Sequence, residues 1–171
     1  MAGMVGCIAA VRRPELFRRL VLLGASPRYL NVEGYEGGFA MPELESVFTN
    51  IESRFTSWAG GFARLVVGEG YPAAAEKFAR SVLRMRPEVA LAVAKAVFLS
   101  DLRKVLDRVQ VPCAVISGAN DPVVPVSVAH DMRSKIKGEV APLEILDFDG
   151  HFPQLVACRL LVDALDRIRL G

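Results

Sequence analysis

Val111-Pro112-Cys113-Ala114-Val115-Ile116-Ser117-Gly118-Ala119-Asn120-Asp121-Pro122 decides how the rest of the chain is read. Its first part is an apolar run with no charge, as expected of a strand covered on both faces in a parallel sheet. It runs out into Asn120-Asp121-Pro122, so an acid stands on the loop after the strand. A second strand pattern, Pro142 to Phe148, ends in Asp149-Gly150-His151-Phe152-Pro153 and leads into a helical run from Gln154 to Leu170. An acid after one strand and a histidine after the next form the last part of a Ser…Asp…His order.

Working outward, Pro125 to Ile136 reads as a helix with Val126, Val128, Ala129 and Met132 facing inward, and Asp101 to Val109 as an amphipathic helix. Residues 1–11 are small and apolar on every side, which predicts a helix buried on most faces and close to a sheet. It begins at Met1 with no N-cap. Leu16 to Gly24 reads as a lead-in and a fully buried strand. No strand pattern occurs between Gly24 and Val111. A Gly- and Tyr-rich loop, 28–40, is followed by four helical segments: Glu43–Phe55, Ser57–Val67, Pro72–Leu83 and Pro87–Leu99. The last two open on proline, which suits the first turn of a helix. The expectation is an α/β core made of 1–27 and 100–171, with 28–99 inserted as a helical cap. Three strands are few for such a sheet. The Val21–Leu23 strand would leave an open apolar edge, so part of the sheet is expected to lie outside this chain, which should be poorly stable and aggregation-prone alone.

The totals exclude several classes. With 171 residues the chain can bury one ordinary core, and 52% apolar residues rule out disorder. A net charge of +2 implies no nucleic-acid footprint. Arg and Lys recur too often for a membrane span, and residues 1–11 lack the basic lead of a signal peptide. Cys7, Cys113 and Cys158 are odd in number and lie in apolar surroundings, which fits buried, reduced thiols in a cytosolic protein. None has metal-ligand spacing, and no metal or other cofactor is expected.

Taken singly, Asp121 and His151 have plainer readings: Asn-Asp-Pro is good turn chemistry, and a histidine before a helix can cap it. Taken together, after successive strands, they read as the acid and base of a catalytic triad. Ser26, Ser100, Ser117 and Ser127 are the serines that could be proposed as the nucleophile. None lies on the strand-turn-helix elbow that exposes such a hydroxyl, and Ser26 is followed by Pro27 and a loop.

Several motifs then point one way: Arg12-Arg13-Pro14-Glu15-Leu16-Phe17, Leu22-Leu23-Gly24-Ala25-Ser26-Pro27-Arg28-Tyr29-Leu30-Asn31, Gly37-Gly38-Phe39, Met85-Arg86-Pro87, Val97-Phe98-x-Ser100-Asp101, Val111-Pro112-Cys113 and Gly150-His151-Phe152-Pro153. In this order they resemble the plant α/β-hydrolase family of strigolactone and karrikin receptors, from Met1 to the C-terminus. Val124-Pro125-Val126-Ser127-Val128-Ala129 and Lys135-Ile136-Lys137-Gly138 look more like its third paralogous branch.

The resemblance implies an incomplete α/β-hydrolase fold with a four-helix, V-shaped lid. It puts the nucleophilic serine of a Gly-His-Ser elbow immediately before Met1, and makes Met1 the position of an oxyanion-hole donor that would be incomplete here. From spacing alone Tyr29, Phe39, Trp58, Phe62 and Phe98 read first as lid core; the resemblance reverses that and implies that they line a pocket for a small apolar butenolide-type ligand. The whole protein would bind and hydrolyse such an ester or lactone by Ser-His-Asp chemistry, in the cytoplasm or nucleus, with F-box and repressor proteins as partners. This chain, lacking the serine, would be inactive as given. The alternative is a non-catalytic ligand- or partner-binding module that uses the lid.

Overall fold

A computed structural model describes residues 1–139 and 142–170, excluding the side chain of Leu170. The elements run α1 (Ala2–Arg12), β1 (Leu20–Leu23), α2 (Met41–Val67), α3 (Pro72–Val82), α4 (Pro87–Phe98), α5 (Arg103–Leu106), β2 (Cys113–Asn120), α6 (Val126–Lys135), β3 (Glu144–Asp149), α7 (Pro153–Val156) and α8 (Cys158–Leu170). The strands form one parallel sheet in the order β1-β2-β3, with Leu22 opposite Val115 and Ser117 opposite Ile145.

The apolar run that opened the sequence reading is the middle strand. Cys113 and Val115 join a core shared with α1 and α6, whereas Ala114 and Ile116 face Leu161, Ala164 and Ile168 of α8. Both faces of β2 are therefore covered, and that is why it carries no polar alternation. Burial of a side chain such as Ile116 stabilises the fold by roughly 1.5–3 kcal/mol. α1 sits tight on the sheet because it is made of small residues: a Cβ on Gly3 would stand 2.6 Å from that of Ala25.

β1 is not fully buried. Leu20 and Leu22 are covered, but Val21 and Leu23 remain 41% and 37% exposed. Among the described residues β1 has no strand on its outer side, so its apolar run marks one covered face and one open face.

The inserted segment holds α2, α3 and α4. α2 is two helices joined at Arg54, whose backbone is non-helical (φ −143°, ψ 42°), next to the expected break between Phe55 and Ser57. Buried Leu44, Phe48, Ile51, Val66 and Ala75 from these helices belong to the same apolar cluster as Met4 and Val115.

Three further expectations are corrected. The helix from Asp101 to Val109 shrinks to α5, because its flanks are held elsewhere. Asp101 bridges to Arg28, the Leu102 N–H donates to the Pro27 carbonyl (2.8 Å), and the Val109 carbonyl accepts Lys137 and Gly138 N–H groups. The C-terminal helix breaks at Ala157 (φ −136°, ψ 41°). Cys7 and Cys113 are buried free thiols, but Cys158 is exposed, since it opens α8 on the solvent side.

The two ends of the inserted segment are tied by Asp101. Its carboxylate accepts from Arg28 (2.7 Å) and from both Nε and Nη2 of Arg103 (2.9 and 2.7 Å). The Arg103 guanidinium lies over the Tyr35 ring at 4.9 Å, and the Tyr35 hydroxyl donates to the Arg28 carbonyl. The Arg103 bonds hold the Asp101 carboxyl well below the usual range. Among the described residues no helix is long and apolar enough to cross a membrane.

Asp101→Asn is expected to lower stability by about 1–2 kcal/mol in chemical denaturation at pH 7, because the partly exposed carboxylate loses charge-assisted bonds. A carboxyl with a depressed folded pKa stabilises above its unfolded pKa and loses that contribution as pH falls. The gap between variant and parent should therefore narrow below about pH 4.

Candidate active site

The loops after β2 and β3 leave the sheet side by side. Asp121 follows β2 directly, and the turn it makes uses one carboxylate oxygen. Oδ1 accepts the backbone N–H groups of Val123 (2.8 Å) and Val124 (3.1 Å). Oδ2 is left to meet His151 Nδ1 at 2.7 Å. One oxygen thus makes the turn of the plainer reading, and the other meets the imidazole.

The Asp121 side chain is 1% exposed and that of His151 18%. A carboxylate only accepts, so Nδ1 facing it is the donor, and Nε2 of a neutral ring presents a lone pair. Among the described residues no side chain hydrogen-bonds Nε2. The imidazole rests on Gly24 at the end of β1, where φ is +52° and a Cβ would stand 3.1 Å from His151 Cε1. Gly24 is therefore both the turn and the floor under the ring.

The aromatics expected at a pocket fall into two groups. Tyr29 and Phe39 each meet Phe98 edge-on at 5.2 and 5.3 Å. Trp58 stacks on Phe62 at 5.0 Å. Three aromatics not singled out from the sequence extend the second group. Phe55 stacks on the far side of Trp58 at 6.0 Å, Phe78 of α3 follows Phe62 at 6.3 Å, and Phe152 meets Phe78 at 4.8 Å and the His151 ring at 4.9 Å. A continuous aromatic row thus runs from the inserted helices to the imidazole. Phe152 lies inside the quoted Gly-His-Phe-Pro motif and could have been named; Phe78 gave no signal beyond being the single aromatic of its helix.

Tyr29 is buried, and burial pushes its phenol up to about 12, with the Asp121 charge adding to the effect. It stays a neutral hydroxyl near the acid. Met1 lines an apolar cavity of about 200 Å³ together with Met4, Ile8, Ser26, Tyr29 and Val97. Of the expected pocket aromatics only Tyr29 borders that cavity.

None of the four candidate serines pairs with the imidazole. Ser26 Oγ donates to the Arg28 carbonyl (2.7 Å), Ser100 to the Val97 carbonyl (2.8 Å) and Ser127 to Glu36 (3.2 Å). Ser117 Oγ is buried without a partner. Burial holds the Cys7 and Cys113 thiols protonated, at about 11 and about 12, so neither offers a thiolate. Among the described residues no group of three His, Cys, Asp or Glu side chains could hold a metal ion.

No family model matches the chain. It is 47% identical over 167 residues to a strigolactone esterase from Arabidopsis thaliana, taking in 98% of this chain and 62% of the relative. It is 44% identical to a strigolactone esterase from Pisum sativum, over 97% of this chain and 62% of the relative. A karrikin insensitive 2 receptor from Petunia hybrida is 38% identical over 98% of this chain and 62% of its own length. The chain thus spans about three-fifths of the curated relatives it matches. Among solved structures, a hydrolase from Oleispira antarctica superposes with a TM-score of 0.91 at 24% identity, over 98% of this chain and 61% of that one. An enol-lactonase from Burkholderia xenovorans gives 0.76 at 15% identity, over 99% and 62%. These last two likenesses speak for the fold alone, an α/β-hydrolase sheet present in part.

Gly24→Ala should cost about 1–2 kcal/mol from the left-handed backbone alone. It should also push the imidazole away from Asp121, seen as faster modification of His151 by diethyl pyrocarbonate with His130 unchanged.

Proposed function

We propose that this chain, a homologue of the α/β-hydrolase family of strigolactone esterases and karrikin receptors, supplies the acid–base pair and the aromatic pocket wall of a Ser-His-Asp hydrolase. Its substrate would be a small apolar lactone or ester of butenolide type. The observation that carries the reading is the 2.7 Å contact of Asp121 with His151, placed at the end of the aromatic row.

The chemistry follows from the proton positions. Asp121 holds Nδ1–H, so Nε2 is free to take the proton of an attacking serine hydroxyl. The serine Oγ bonds to the carbonyl carbon, and the imidazolium formed lies against the carboxylate. That proton then passes to the departing alkoxide as the ester C–O bond breaks. Water enters by the same route in reverse and frees the acid. The serine, and oxyanion donors beyond the Met1 position, would come from residues other than these 171; losing either element alone costs orders of magnitude in rate.

Trp58, Phe62, Phe78 and Phe152, with Tyr29, Phe39 and Phe98, suit a flat apolar ligand with few polar groups to orient it. In this reading the outer surface of α2–α4 engages F-box and repressor proteins, in the cytoplasm or nucleus.

Trp58 is the sole tryptophan and reports on the pocket. A butenolide lactone should quench its fluorescence saturably, and Phe62→Ala should weaken that binding by about tenfold. The 171-residue chain should not turn over a fluorogenic butenolide. A version carrying the serine segment should, and His151→Ala in it should lower kcat by at least about 10³. Absence of saturable quenching would overturn the pocket assignment. Turnover by the 171 residues that His151→Ala abolishes would overturn the assignment of the nucleophile.

A further inference from the structure

The histidine loop is held from a second side. α2 ends at Val67, and carbonyls in the last turn of a helix lack partners within it. One of them is used: the backbone N–H of His151 donates to the Val66 carbonyl at 2.7 Å. Gly150 makes the approach possible. Its φ is +114°, and a Cβ there would stand 2.8 Å from the Val67 carbonyl oxygen and 3.1 Å from that of Val66. Gly68, at the end of α2, faces the same loop; its Cβ would lie 3.3 Å from the Asp149 carbonyl oxygen. A glycine on each segment thus permits the close approach, and one hydrogen bond joins the two segments. Beside them Phe152 packs on Phe78 of α3 at 4.8 Å, and Phe152 in turn stands edge-on to the imidazole.

We infer that the inserted helices position the base: the end of α2 fixes the His151 backbone through the Val66 carbonyl, and Phe78 braces its ring through Phe152. Phe78 and Gly150 are positioning residues, and the Asp121–His151 hydrogen bond holds only while α2 and α3 are seated on the β3–α7 loop. This rests on the reading of His151 as the general base. Its chemical content is a coupling. Whatever moves the α2–α3 pair, a bound ligand or a protein on its outer surface, also moves the imidazole against its acid. The geometry leaves little slack. The histidine is anchored at three points, namely the carboxylate at Nδ1, the helix end at the backbone N–H and an aromatic edge at the ring, and two of the three belong to or lean on the insertion.

The test is nitrogen-edited proton NMR of the full 171-residue chain. A proton shared between imidazole Nδ1 and a carboxylate resonates far downfield, and the chain has only one other histidine, the exposed His130 of α6. Asp121→Asn should abolish the resonance. Phe78→Ala should broaden or remove it, with about tenfold faster exchange with solvent as local opening becomes easier, and Phe78→Tyr should retain it. Gly150→Ala should remove it as well, with loss of the His151 amide shift that its bond to Val66 produces. If the resonance survives Asp121→Asn, the acid–base pairing itself is wrong, whatever the helices do. If it is lost in Asp121→Asn but persists unchanged in Phe78→Ala, the pairing stands and the coupling is overturned.

Discussion

Everything else in the chain is placed by the burial of β2 on both faces. A strand sealed between α1 and α6 on one side and α8 on the other leaves the sheet only at its ends. Its parallel partner β3 leaves at the same end, so the two following loops are neighbours with no further adjustment. The register shift between Gly118 and Asn120 brings Asn120 opposite Asp149, and the Asn120 side chain donates to the Asp149 carboxylate at 2.9 Å. That bond pins the roots of the two loops one residue before Asp121 and two before His151. A sheet with this geometry gathers reactive groups at its carboxyl edge because the backbone there turns outward while the strands behind it cannot move.

The insertion is built differently. Its helices share the apolar cluster of the sheet. Its polar attachments among the described residues include Asp101 with Arg28 and Arg103 at the stem, Glu36 with Ser127 of α6, and Val66 with His151 at the far end of α2. Between those points the contact with the site is aromatic. Ring stacks slide and tilt at small cost, while hydrogen bonds at the margins do not stretch far.

What could be read from the residues followed this division. β2 and β3 announced themselves through apolar runs, and Asp121 and His151 through their place just after them. β1 misled because an unbroken apolar run looks the same whether both faces are covered or one is left open; only the neighbour count separates the cases. The short α5 was hidden because nothing in Asp101 to Val109 says that Arg28 and Gly138 will claim its ends. The break at Ala157 carries no Gly or Pro to mark it. Phe78 was missed for the same reason as the Val66 contact. Both depend on how α2 and α3 fold back onto a loop far along the chain, and such long-range meetings leave no local pattern.

The two oxygens of Asp121 have a further consequence. One shapes the loop by accepting from Val123 and Val124, and the other fixes the imidazole. An amide in its place could still accept from the loop, but its NH₂ would then face Nδ1 and force that nitrogen to become the acceptor. The proton would move to Nε2, and the ring would lose the lone pair it offers. A glutamate carries its oxygens one methylene too far to serve both partners. Loop shape and imidazole tautomer are therefore written in a single codon, and drift at that codon cannot alter one without the other.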